Sequence, residues 1–156
     1  MKSFMNALNE ILKRYDKYTG RLNIPGDWGE RAFRGWLILD FLSTELGWPS
    51  THIILGERFD ILLLNDSLHP VVNIETKKPR SRIIQKEKKD FLNRLSMYPT
   101  LEWAFLTNGI YWGRFRLLAP EGNQKILEKA EFELEKASEK TTKEFFEVIS
   151  RNHYLP

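Results

Sequence analysis

Apolar residues recur at helical spacing from the start of the chain. Phe4, Leu8, Ile11, Leu12 and Tyr15 fall on one stripe, which predicts an amphipathic helix over 4–18. Gly20 and the Asn-Ile-Pro-Gly-Asp run at 23–27 interrupt it, and Asp27 stands where a helix cap belongs. A second helix is expected over 28–46. Ala32, Phe33, Trp36, Leu39 and Leu46 take its inner face, Arg31, Arg34 and Glu45 much of the outer one, and Gly47 and Pro49 end it. The period then changes. Residues 52–55, 58–64 (RFDILLL) and 71–77 (VVNIETK) read as strands, with Asn65-Asp66-Ser67 as turn chemistry between the last two, so these form a hairpin. A helix over 83–98 follows, with Ile84, Phe91, Leu95 and Tyr98 inward. Strands at 103–106 and 110–118 flank the turn Thr107-Asn108-Gly109. From Glu121 to about 150 the charged pattern reads as a last helix, docked through Phe132, Leu134, Phe145, Phe146 and Ile149. Helices alternating with strands in this order predict an α/β architecture.

Composition narrows the function. A chain of 156 residues suits one domain and leaves no room for a motor beside an enzyme. It has no cysteine, which excludes disulfides, thiolate zinc sites and cysteine nucleophiles, and makes the cytoplasm the expected compartment. The first eighteen residues lack the apolar run of a signal peptide, and no stretch is long enough for a membrane span, so no membrane partner is expected. Net charge is only +3, but it is unevenly spread. Residues 77–94 carry eight bases against two acids, and residues 121–147 carry eight acids against five bases. Such asymmetry suits a polyanionic partner; a solvated lysine-rich helix face accounts for the same run.

The hairpin is where polar groups intrude on apolar strands. Asp60 lies between Phe59 and Ile61, and a carboxylate in a core-like strand is costly unless something pairs with it. On the next strand Asn73, Glu75 and Lys77 share one face by the period of two, and Val72, Ile74 and Thr76 take the other. Two carboxylates and an ammonium gathered at one strand end are what metal-assisted phosphodiester hydrolysis requires. Mg²⁺ takes one or two carboxylates and keeps several waters, and a lysine can attend the attacking water.

At this point the chain resembles a known family. Asp60 followed across a hairpin by Glu75-Thr76-Lys77 is similar to the signature of the PD-(D/E)XK nuclease superfamily. The stretch RFDILLLNDSLHPVVNIETKKP with its Gly56-Glu57-Arg58-Phe59 lead-in, and AFLTNGIYWGRF downstream, resemble the N-terminal nuclease domain of type I restriction enzyme R subunits. The likeness covers residues 28–118. It implies a restriction-endonuclease-like core with a central mixed sheet of four to five strands between helices. It also implies Mg²⁺ (or Mn²⁺) on Asp60, Glu75 and the carbonyl of Thr76, Lys77 beside the nucleophilic water, and an upstream helical acid matched by Glu30. Family members carry Gln-x-x-x-Tyr on the following helix; here those positions are Arg94 and Tyr98, so the glutamine is an arginine. Phe59 precedes the first acid where proline is common. Relatives often work as dimers, which makes a homodimer compatible with the likeness.

The expectation is therefore a single-domain, Mg²⁺-dependent deoxyribonuclease with no nucleotide cofactor. Lys78, Arg80, Arg82, Arg94 and Tyr98 are its nucleic-acid contacts. The alternatives are an inactive nucleic-acid-binding or assembly module on the same fold, and a structural subunit. A second Glu-x-Lys at Glu87-Lys88-Lys89 falls on a helical pattern and reads as solvated charge. Glu30 and Arg34, four apart, read equally as a simple ion pair. His52, His69 and His153 show no metal-ligand spacing. The tryptophans read as core, with Trp112 beside the last turn also placed to stack on a base.

Overall fold

The computed structural model describes residues 3–22, 26–56, 60–95, 98–118 and 125–154. The break at 23–25, the lead-in residues 57–59, the end of the expected third helix at 96–97 and the segment 119–124 lie outside the described residues. Six strands form one sheet in chain order: β1 (Ile53–Leu55), β2 (Ile61–Leu64), β3 (Pro70–Thr76), β4 (Trp103–Thr107), β5 (Tyr111–Leu118) and β6 (Lys125–Glu133). Every neighbouring pair is antiparallel except β3 and β4, which run parallel. Parallel neighbours cannot be joined by a tight turn, and helix α3 (Gln85–Arg94) makes the crossover. Helices α1 (Phe4–Leu22), α2 (Gly26–Trp36) and α4 (Glu139–Glu147) complete the fold. The architecture is α/β, a mixed sheet flanked by helices. Among the described residues no helix is long and apolar enough to cross a membrane.

Three expectations are corrected. The sheet has six strands, not four to five. The charged run does not form one helix over 121–150: residues Lys125–Glu133 are a strand, and the helix begins only at Glu139, behind a Ser138–Thr141 capping box. The segment KILEKAEFE favours helix by intrinsic propensity, but β5 needs a partner for its outer edge, and pairing supplies it. Opposite charges then face each other at Arg116 and Glu128, and Trp112 faces Phe132. Third, α2 continues from Leu37 to Ser43 as a wider-wound π-helical segment. Leu37, Phe41, Leu42 and Leu46 are buried at spacings of four and five, and Leu39, expected inward, is 64% exposed. The wider winding rotates the inner face. A turn over 44–46 follows, and Gly47, with φ at +82°, takes the chain away from it. Two smaller shifts follow the same logic of end effects: α1 runs on to Leu22, and α3 starts after an exposed, extended Ile84.

Strand alternation divides the core. On one face Ile61, Leu63, Val72, Ile74, Phe105, Trp112 and Phe132 pack against α1, α2 and α4, with Phe41, Phe145 and Phe146 edge-on or stacked among them. On the other, Leu62, Ala104, Leu106, Phe115 and Leu117 meet Phe91 and Leu95 at α3.

Candidate active site

The site forms where β3 leaves the sheet, and the Thr107-Asn108-Gly109 turn sets its frame. Asn108 Oδ1 accepts from the amides of Ile110 and Tyr111, and Thr107 Oγ1 donates to the Tyr111 carbonyl. Thus closed, the turn holds the β3 exit through two backbone bonds, Lys77 N to Thr107 O at 2.7 Å and Arg80 N to Asn108 O at 3.0 Å. Gly109 is required here twice over. Its φ is +91°, and an added Cβ would stand 2.8 Å from Leu12 Cδ2. The turn thereby anchors the Lys77 amide while its own Gly109 lies close to Leu12 of α1.

Asp60 lies just before β2 and turns toward Thr76. Its Oδ2 accepts from the Thr76 amide at 2.8 Å and the Thr76 hydroxyl at 3.1 Å. Arg34, from α2, donates to that hydroxyl at 3.1 Å and brings Nη2 to 3.3 Å from Asp60 Oδ1 and 3.5 Å from Glu30 Oε1. Glu30 and Arg34 are thus an ion pair, as their spacing allows, and one that reaches the first acid. Sequence reasoning missed that reach of Arg34; its only signal was the i, i+4 pairing with Glu30.

Glu75 lies on the opposite face of β3, its side chain 7% exposed. Arg94 Nη2 from α3 donates to Oε1, and Lys77 Nζ is 3.9 Å from Oε2. Among the described residues, no hydrogen-bond donor reaches the buried Oε2 or the buried Oδ1 of Asn73, one step back on the same face. Asn73 Nδ2 donates to the Ile61 carbonyl at 3.2 Å, which fixes the amide's orientation. Burial pushes the Glu75 carboxyl above the usual glutamate range. Lys77 and Arg94 pull against that shift, and the Asp60 charge adds to it.

Asp60, Glu75, Thr76 and Lys77 therefore lie around one strand end, with the two carboxylates on opposite faces of β3 and each held by its own arginine from a different helix. The donor set fits a hard cation: two carboxylates meet the protein share of an Mg²⁺ shell, and among the described residues Glu75 Oε2 is a buried acceptor with no hydrogen-bond donor. Among the described residues no group of three or more His, Cys, Asp or Glu gathers.

The remaining residues divide. Lys77 and Arg94 border an open cavity of about 420 Å³ shared with Glu87, Asp90 and Asn93. Glu87 is thus nearer the site than its reading as solvated charge suggested, though it sits on a helix as expected. Lys78 and Arg82 are exposed beyond β3. Arg80, with φ at +66°, turns to the other side, where Asp16 of α1 holds its guanidinium at 3.0 and 3.1 Å. Tyr98 packs beside the Phe91–Leu95 cluster. Trp112 is fully buried, so the expectation that it stacks on a base is withdrawn. No family model, curated protein or solved structure matches this chain.

Proposed function

We propose that this chain is a divalent-metal-dependent nuclease that hydrolyses phosphodiester bonds in DNA in the cytoplasm, on a restriction-endonuclease-like fold akin to the PD-(D/E)XK enzymes. The observation that carries the reading is the buried Glu75 carboxylate, one oxygen of which lacks a donor, with the Lys77 ammonium 3.9 Å away and Asp60 braced on Thr76 at the same strand end. Asp60, Glu75 and the Thr76 carbonyl would hold Mg²⁺ or Mn²⁺. When bound, the ion supplies an acidified water and neutralises charge on the phosphate. The chain's own residues do the rest. Thr76 keeps the Asp60 carboxylate in one orientation, and Arg34 links that orientation to Glu30. Lys77 stands as a point charge beside the attacking water and the developing oxyanion. Lys78, Arg82 and the basic face of α3 contact backbone phosphates, which position a substrate without reading its sequence. Arg80 is occupied by Asp16 and serves the loop rather than the substrate.

A second reading, a binding or assembly module that does not cut, is favoured by one observation: both carboxylates already have arginine partners. One assay separates the two. Purified protein is incubated with plasmid and with single- and double-stranded oligonucleotides, in Mg²⁺ or in EDTA, beside Asp60→Asn, Glu75→Gln and Lys77→Ala. The nuclease reading expects metal-dependent cutting that falls by at least about a hundredfold in each variant. Tight, metal-independent retention with no cutting supports the module. Cutting that survives all three substitutions removes these residues from the mechanism.

A further inference from the structure

The two arginines of the site are not equivalent. Arg34 is held by three partners, the Thr76 hydroxyl and the carboxylates of Asp60 and Glu30, and its side chain is 22% exposed. Arg94 has Glu75 as its one carboxylate partner among the described residues, and its side chain is 39% exposed. It sits in the last turn of α3, and it borders the open cavity together with Lys77. Glu75 is the fixed member of that pair: it is buried, on a central strand, with one oxygen on Arg94 and the other without a donor. A carboxylate buried this way needs a cation, and the guanidinium supplies one. A divalent ion on the same carboxylate would repel the guanidinium at close range and compete with it for the charge of Glu75. The side chain free to leave is the arginine, and the space open to it is the cavity beside Lys77.

We propose that Arg94 is a placeholder cation. It occupies Glu75 in the metal-free protein, gives up that carboxylate when a divalent ion binds, and then turns onto a phosphate of the substrate backbone. The inference rests on the nuclease reading and names Arg94 as a positioning residue for both the ion and the phosphodiester. No bond is made or broken; one ion pair is exchanged for two. It also gives a physical role to an arginine standing where glutamine is expected.

The test is Mn²⁺ titration calorimetry on the full chain, without nucleic acid, for wild type, Arg94→Gln and Arg94→Lys. Arg94→Gln is expected to bind Mn²⁺ roughly tenfold more tightly, because one competing unit charge is gone, and Arg94→Lys to stay near wild type. Oligonucleotide binding against salt, with Ca²⁺ as the ion, gives an independent readout. The slope of log K on log salt should be shallower in Arg94→Gln by about 0.7 to 0.9 when the ion is bound, and unchanged in EDTA, where Arg94 is spent on Glu75. Wild type needs no substitution for a third measurement: the Arg94 side-chain Nε–H resonance should move when Mg²⁺ is added. Arg94→Gln binding Mn²⁺ no more tightly than a wild type that does bind it, or an Nε–H signal that stays in place, overturns the placeholder alone. Failure of both proteins to bind any Mn²⁺ overturns it together with the nuclease reading.

Discussion

The two faces of the sheet are built differently. Among the described residues, twenty-three buried apolar side chains form the cluster under α1, α2 and α4, and eight form the one under α3. Among the described residues, two of the buried hydroxyls on the thicker face, Thr107 and Thr142, donate to backbone carbonyls at 2.8 and 2.7 Å, and the third, Thr76, donates to Asp60. Among the described residues that face has one buried side-chain polar atom without a hydrogen bond, Trp112 Nε1. The thinner face holds the buried amide of Asn73 and the buried carboxylate of Glu75, each with an oxygen lacking a donor. One short helix covers this face, so long cationic side chains from its end and from the strand exit can reach inside. An acid survives burial where cations can follow it, and the same thin cover leaves the cavity through which a substrate phosphate could approach.

The largest effect expected from this contrast is on stability. Phe146 is fully buried among Phe41, Phe105, Trp112, Phe132 and Phe145, whereas Phe91, on α3 itself, has Phe115 as an aromatic neighbour and sits on a short helix that can settle. Phe146→Ala should cost about 5 kcal/mol and Phe91→Ala about 3 kcal/mol by denaturant unfolding. Equal losses would break the distinction between the faces. Next in size is Gly109→Ala, at about 2 kcal/mol, since the turn demands a left-handed backbone and offers no room for a methyl group. Because that turn anchors the Lys77 amide, the variant should also lose cutting activity beyond what its residual folded fraction explains.

The smallest effect is the most specific to the thin face. Glu75 takes up its proton more readily folded than unfolded. Its contribution to stability is therefore greatest below the usual glutamate range and is lost as pH rises through the raised folded value. In EDTA, wild type should lose stability relative to Glu75→Gln as pH rises from 4 to 8. Parallel pH profiles would mean that Arg94 and Lys77 fully offset the burial.

Much of the strand pattern was legible because it is written in apolar periodicity. The β2–β3 hairpin, the crossover helix and the Thr-Asn-Gly turn all fall where residues 60–118 place them. Asp60, Glu75 and Lys77 stood out because charges are rare in such apolar runs, although Asp60 lies just before β2 and Lys77 just after β3 rather than inside them. What stayed hidden depends on partners far along the chain. Lys125–Glu133 has a helix-forming composition and becomes a strand only because β5 has an edge to fill. Leu39 is turned outward by a change of winding that no single residue announces. Arg34 and Arg94 sit at helical positions whose direction is set by packing. Spacing could pair Arg34 with Glu30 but could not show that it also reaches Asp60 and, forty-two residues along the chain, Thr76.

The most direct test of the central claim is a crystal grown or soaked with Mn²⁺ and measured for anomalous scattering. The account predicts a peak at the β3 exit, about 2.1 Å from one oxygen of Asp60 and one of Glu75, with Arg94 moved off Glu75. A peak that sits instead on Glu87 and Asp90, or an ordered site with both arginines still in place and no ion between the carboxylates, would contradict it.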